Sequence, residues 1–386
     1  MNFYGYKRPD GRVGIRNKVL ILPTCVCSAE TCRKISDQVE GTLFVYNDAG
    51  CSEVEQNLKI CYDMYSGFAA NPNIYGTVLI GLGCEGCTPE NMAAEIRKKT
   101  NKPLEVFVIQ EEGGTTNTIT KAVIAARKMV QEASLVPREE FPVSELMLGI
   151  ECGGSDATSG LAANPVVGKV SDMLVDMGGS AMMSETTEFI GAEHVLAKRA
   201  ASDEIKKQII GICKDLEDHL ANVNQNLRTG QPTPGNKEGG ISTIEEKSLG
   251  CIYKGGSRPI VEVLEYAQMP TKKGALIMDT PGFDVASVTA MVAGGCQVII
   301  FTTGRGTPTG NGIAPVIKIT GNNKTFEKMI DNIDFNAGVV ISGEMSIDEC
   351  GEKLFDEMME VCRGKVTKAE AYGFNECSMQ RICKFI

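Results

Sequence analysis

At 386 residues, 42% apolar and 23% charged, the chain has an ordinary globular composition and is too long for one core, since domains run to about 100–200 residues. A formal net charge of −10 excludes a basic nucleic-acid-binding surface. Apolar runs of strand length, such as VLIL and CQVIIF, exclude a bilayer-spanning helix, and the start MNFYGYKRPDGRVGIRNK lacks the apolar stretch of a secretory leader. A cytoplasmic protein is expected.

The first third alternates strand and helix. NKVLILP reads as a strand and SAETCRKISDQV as a helix with Ser28 at its N-cap. TLFVYN, YGTVLIGL and LEVFVIQ are the next strands, separated by SEVEQNLKICYDMYSGFAA and PENMAAEIRKKT and followed by TTNTITKAVIAARKMVQEA, all with helical spacing. Short apolar strands between helices of this length imply parallel sheets covered on both faces. PREEFPVSE, rich in Pro and charge, marks the boundary between domains 1–140 and 141–386. Beyond it SELMLGI, SAMMSE, GALIMD, CQVIIF, APVIKI and AGVVI read as strands, with NPVVGKVSDMLVDM and SIDECGEKLFDEMMEVCRG as helices. RTGQPTPGNKEGGIS reads as an unpacked Pro/Gly-rich excursion near 229–243. The expected fold class is α/β, two Rossmann-like domains with mainly parallel sheets.

Ligands of open α/β sheets bind beyond the carboxyl ends of the strands, and there the sequence concentrates its unusual residues. DAGCSE, GCEGCTPE, ECGGSDATSG, TTE, TPG and TTGRGTPTGN each follow an apolar run. Cys51, Cys84 and Cys152 share one pattern, a thiol beside a glycine just past a strand. Singly, each is explained as small apolar filler. With fifteen cysteines and only two histidines, His194 and His219, three such thiols at one edge point instead to a soft-metal or iron–sulfur site. Cys84 and Cys87 form a C-x-x-C without a second pair, and Cys25 and Cys27 follow another strand. Cys213, Cys350, Cys362, Cys377 and Cys383 fall on helical or tail patterns, where packing accounts for them. Both histidines read as solvated helix positions. Ser155 and Asp156 can cap the helix that follows them, and Arg305 with Thr307 and Asn311 lies in a glycine-rich loop able to hold a carboxylate.

GYKRPDGRVGIRN, GLGCE, ECGGSDATSGLAANP, SETTEFIGAE and FTTGRGTPTGNGIAPVIKI, in that order from about Gly5 to Ser342, together resemble the altronate and galactarate dehydratase family, to which the large subunit of sulfolactate sulfo-lyase also belongs. The resemblance implies a hydro-lyase acting on a sugar acid or related hydroxy acid: an α-proton is removed, a β-substituent leaves and a 2-keto acid results. It further implies a metal, iron as Fe2+ or an iron–sulfur cluster, with Mn2+ as the alternative. Members resembling this chain carry a small additional domain before the GYKRPDGR block, so a separate small subunit is expected, as is an oligomer. On this reading Cys51, Cys84 and Cys152 are metal ligands. Glu85, Asp156 and Glu185 are acid–base candidates, and Ser155, Arg305, Thr307 and Asn311 are substrate-binding candidates. A sulfo-lyase, or a non-catalytic acid-binding subunit, are the rival expectations.

Overall fold

The computed structural model describes residues 1–382, so Cys383 lies outside the described residues. Two parallel sheets carry the architecture. The smaller has the order Thr42–Phe44, Lys18–Pro23, Ile74–Gly81, Leu104–Val108; the larger runs Ile260–Leu264, Ala275–Met278, Ser180–Met183, Met147–Cys152, Val298–Thr302, Val316–Thr320, Phe335–Asn336. Every pairing within these two sheets is parallel. Strands such as VIIFT and ALIM are buried at every position, which is why they read as unbroken apolar runs rather than alternating ones. Among the described residues no helix is long and apolar enough to cross a membrane.

The two sheets share a core. Helix Glu55–Ala70 of the smaller unit packs against helix Asp284–Ala293 of the larger, and both contribute to one apolar cluster. The approach is close: a Cβ on Gly67 would stand 2.4 Å from the Ala293 carbonyl oxygen, so Gly67→Ala would force the helices apart. Asn71 completes the seam by donating to the Val292 and Cys296 carbonyls at 2.8 and 3.0 Å. The chain's last described stretch crosses the same seam. Asn375 Nδ2 donates to Phe44 O, Ser378 N to Thr289 Oγ1 at 3.3 Å, and Ile382 N to Asn57 Oδ1 at 2.8 Å.

Several local expectations change. Helix Val26–Ser36 is entered from Cys25, and Ser28 lies inside it, its hydroxyl donating back to Cys25 O. AGVVI is not a strand. Asn336 ends a two-residue strand and its side-chain oxygen accepts from Gly338 N, starting the helical turn Gly338–Ile341. PREEFPVSE contains the strand Glu139–Pro142, which pairs antiparallel with Asn2–Lys7. The excursion near 229–243 is packed rather than loose. A capping box formed by Thr233 and Asn236 opens the turn Pro234–Glu238, Asn236 Nδ2 donates to Ser155 O at 2.9 Å, and Ala157 N donates to Gly239 O at 3.0 Å.

Candidate active site

In the larger sheet the chain runs from Met147–Cys152 outward to one side, then returns to lay Val298–Thr302 on the other. The resulting switch point is where α/β folds place ligands, and ECGGSD leaves the sheet there. Gly153 is required, because a Cβ would stand 2.0 Å from an Asp284 carboxylate oxygen. A π-type turn, Ser159–Ala163, follows; such turns frequently accompany functional sites.

Around this point the fold gathers an array of ionisable groups, all buried but the half-buried Asp284. Glu151 and Cys152 end the central strand, Glu185 and Glu188 follow Ser180–Met183, Asp284 opens its helix, and Lys247, Cys251 and Lys254 come from the segment Ile244–Gly255. Cys251 Sγ lies 3.1 Å from Glu188 Oε1 and 3.9 Å from Cys152 Sγ, and Cys152 Sγ lies 3.0 Å from Ser155 Oγ. Lys254 forms a fully buried ion pair with Glu188, and Lys247 Nζ stands 3.6 Å from the same carboxylate. A hydroxyl chain supports the opposite side. Thr280 Oγ1 donates to Ser287 Oγ, which donates to Ser184 Oγ at 2.7 Å, which donates to Glu151 Oε2 at 3.2 Å. Thr187 Oγ1 and Ser248 Oγ are buried with no hydrogen-bond partner among the described residues, as expected where a ligand supplies the missing partners.

The electrostatics separate these groups. Burial pushes the Glu185 carboxyl well above the usual range, and the neighbouring Glu151 and Glu188 push it further; burial likewise raises Glu151 to about 7. Burial acts on Glu188 in the same sense, but the Lys254 and Lys247 ammoniums more than reverse it and hold the group ionised. The Cys152 thiol is lowered, chiefly by its hydrogen bond with Cys251, with Lys254 and Ser155 assisting. Four carboxyls against two ammoniums leave two surplus negative charges in a dry site, which two protons or one divalent cation can neutralise. Two donor sets suit a cation by spacing: Cys152, Glu188 and Cys251, and separately Glu151, Glu185 and Asp284, each with ligand atoms within 4.8 Å of one another. In the first set Lys254 and Lys247 already engage Glu188, so a dication there would face two ammoniums. The second has oxygen donors without a direct lysine contact.

A cavity of about 260 Å³ opens beside the array, lined among others by Ser155, Asp156, Asn164, Lys247 and Cys251. Thus Cys152, Ser155, Asp156 and Glu185 do come together. Asp156 is heavily engaged: Oδ1 accepts from Ser159 N and Thr158 Oγ1, and Oδ2 from Asn322 Nδ2. Other expected residues lie elsewhere. Cys51 and Cys84 belong to the smaller sheet, so the three thiols do not share one edge, and the thiol beside Cys152 is Cys251. Glu85 also sits at the smaller sheet, where its carboxylate accepts from Thr24 Oγ1, Leu82 N and Gly83 N; these bonds hold it ionised against burial. Arg305 is 43% exposed and pairs with Glu238 of the excursion at 2.8 Å. Asn311 braces its own loop through Ile313 N and Ala314 N, and Thr307 bonds Thr309.

Sequence reasoning missed Glu188, Lys247, Cys251 and Lys254. The signal was present: Lys247, Cys251 and Lys254 are spaced i, i+4, i+7, one face of a helix, and Glu185 and Glu188 are three apart on one turn.

A parallel sheet whose switch point buries paired acids and ammoniums against a cavity defines an α/β enzyme equipped to move protons. Residues 5–134 match the family model described as D-galactarate dehydratase/altronate hydrolase, second domain, and residues 143–384 that of D-galactarate/altronate dehydratase, C-terminal. The chain is 36% identical over 387 residues to the (2R)-sulfolactate sulfo-lyase subunit beta of Chromohalobacter salexigens, covering 98% of this chain and 97% of that protein. It is 36% identical over 384 residues to galactarate dehydratase (L-threo-forming) of Escherichia coli, covering 94% and 73%. To altronate dehydratase of Bacillus subtilis it is 32% identical over 387 residues, covering 98% and 77%. The chain belongs to the altronate and galactarate dehydratase family, and it is an enzyme of the hydro-lyase type.

Proposed function

We propose that the enzyme dehydrates a sugar acid to a 2-keto-3-deoxy acid at the cavity beside the buried array. That array carries the reading: Lys247 and Cys251 line the cavity, and behind them lie a carboxyl held protonated (Glu185), a carboxylate held ionised (Glu188) and a thiol whose pKa is lowered (Cys152). Removing the proton next to a carboxylate builds a second negative charge on the substrate, and Lys247 on the cavity wall supplies a fixed positive charge for it. Glu188, held ionised by the two ammoniums, is the group able to accept the α-proton. Glu185 donates its proton to the departing β-hydroxyl, which leaves as water, and the enol tautomerises to the ketone.

Iron, the metal the resemblance implies, has a fitting donor set in Glu151, Glu185 and Asp284. Bound there, an Fe2+ or Mn2+ ion would supply Lewis acidity for the departing hydroxyl in place of the Glu185 proton. Metal analysis separates the two versions, because Glu185→Gln loses bound metal only in the second.

A separate small subunit is proposed from the likeness to a protein named subunit beta, nearly all of whose length this chain spans. The same likeness favours a second reading, release of sulfite from a sulfonated hydroxy acid. The decisive experiment offers aldonates, aldarates and sulfolactate to the enzyme with iron under anaerobic conditions, with and without a small subunit. We expect 2-keto acid from an aldonate or aldarate without sulfite. Sulfite release would replace the reading with the second, and no turnover of any of them would overturn both.

A further inference from the structure

Thiols occupy two settings in this molecule, and oxidation means something different in each. At the smaller sheet Cys27 and Cys84 are exposed and Cys51 is half-buried. They stand on loops fixed to one another: Val26 N donates to Ala49 O at 3.2 Å, and Cys87 N to Gly50 O at 2.8 Å. In the array, by contrast, Cys152 and Cys251 are both buried and face each other, Sγ to Sγ, at 3.9 Å. The turnover mechanism gives neither of them a step.

The pair is placed to become covalent. Bonded sulfurs stand about 2.05 Å apart, so closing a gap of 3.9 Å asks each sulfur to move by about 1 Å. Both residues end an element, where backbone yields more readily than in the middle of one. Cys152 closes the strand Met147–Cys152 and is followed by Gly153 and Gly154, the latter at φ +60°. Cys251 is the last residue of the helix Ile244–Cys251. Access is present as well, because Cys251 lines the cavity of about 260 Å³. A proton acceptor stands beside it: Cys251 Sγ donates to Glu188 Oε1 at 3.1 Å.

We propose that Cys152 and Cys251 form a redox modification site, which a small hydroperoxide entering the cavity closes to a disulfide and so switches the enzyme off reversibly. The Cys251 sulfur attacks the peroxide while Glu188 takes its proton. The O–O bond breaks, one oxygen stays on sulfur as a sulfenic acid, and the other leaves with that proton as water. The Cys152 sulfur then attacks the Cys251 sulfur. The S–O bond breaks as the S–S bond forms, and the oxygen leaves with the Cys152 proton as a second water. Two thiols are oxidised and one peroxide is reduced. The new bond withdraws Cys251 from Glu188 and Cys152 from Ser155, and draws the end of helix Ile244–Cys251 toward the strand. Lys247 lies one turn earlier on that helix, on the cavity wall, and an offset of about 1 Å at such a group can cost about 10²-fold in rate. Only this effect on turnover rests on the hydro-lyase reading; formation of the disulfide does not.

The test titrates the reduced full chain with hydrogen peroxide until Cys27 and Cys84 are oxidised, removes the peroxide, and maps peptides without reduction. A peptide joining Cys152 to Cys251 is expected, with about 10²-fold loss of kcat that dithiothreitol restores. Cys152→Ala leaves Cys251 without a partner, so its oxidation should proceed to the sulfinic acid, two added oxygens on the Cys251 peptide that dithiothreitol does not remove. Oxidised Cys27 and Cys84 without the joined peptide would overturn the proposal. So would a joined peptide in an enzyme of undiminished turnover, or loss of turnover without that peptide. A joined peptide in a chain that turns over no hydroxy acid even when reduced would sink the hydro-lyase reading and leave the disulfide standing.

Discussion

The two sheets end in edges of opposite character. At the larger one, three carboxyls, two lysines and two cysteines are almost wholly withdrawn from water, with Asp284 half-buried beside them, and what each can do is decided by its neighbours. At the smaller one, accessible thiols stand on loops whose backbones are fixed to each other, and what they can do is decided by what reaches them. One edge sets protonation states by burial; the other leaves its thiols within reach of solvent. Burial makes the first expensive to disturb; accessibility makes the second cheap.

That contrast breaks most sharply at Lys254. Lys254→Met leaves Glu188 charged and buried, and removing one partner of a buried pair costs about 3–5 kcal/mol. Cys84→Ala should stay within about 0.5 kcal/mol, as for an exposed position. Urea denaturation of the two variants measures the difference, and equal costs would dissolve the distinction between the edges. Glu185→Gln should lower kcat by about 10²–10⁴-fold, the range of general acid catalysis, with little change in unfolding midpoint; steady-state kinetics on the preferred acid checks it.

Glu151 supplies a pH test. Its folded pKa of about 7 lies above the 4.5 of a free glutamate, so the folded state prefers its protonated form. The stabilisation is fully present below about 4.5 and is lost as pH rises through 7. On the order of 3 kcal/mol should therefore disappear between pH 4.5 and 8 in the metal-free protein. Glu151→Gln should flatten that part of the profile; a wild-type slope identical to the variant's would exclude the effect. Asp156→Ala removes a cap and should cost about 1–2 kcal/mol, read in the same denaturation assay. Arg305→Ala should change stability little, by under about 1 kcal/mol, because its pair with Glu238 is exposed. A large rise in KM for that variant would restore Arg305 as a substrate clamp.

The sheets were legible from the sequence because strands buried on both faces leave unbroken apolar runs, and the reactive turns because they follow those runs. The division of labour between the edges was not. Cys51, Cys84 and Cys152 share one local pattern, and only strand order assigns the first two to one sheet and the third to the other. Lys247, Cys251 and Lys254 lie in a segment that reads as polar and unremarkable, and burial alone gives them meaning. AGVVI misled for a related reason: its apolar content suits a strand, but a side-chain amide two residues from its glycine starts a helix. Arg305 looked like a clamp from composition, since no sequence pattern reveals that Glu238 stands opposite it.

The seam formed by the last described residues has a consequence for how the protein is made. Asp48 O and Asn57 Oδ1, on either side of Cys51, are hydrogen-bonded by Arg381 and Ile382, with 325 positions separating Asn57 from Ile382. At about 5–20 residues per second, a ribosome needs roughly 15–65 s to travel that distance. Throughout that time the nascent chain already exposes the segment around Cys51 but lacks the residues that fasten it. That edge is therefore finished only after Ile382 has been made, and a chain lacking Arg381 and Ile382 would have both sheets encoded and these fastenings missing.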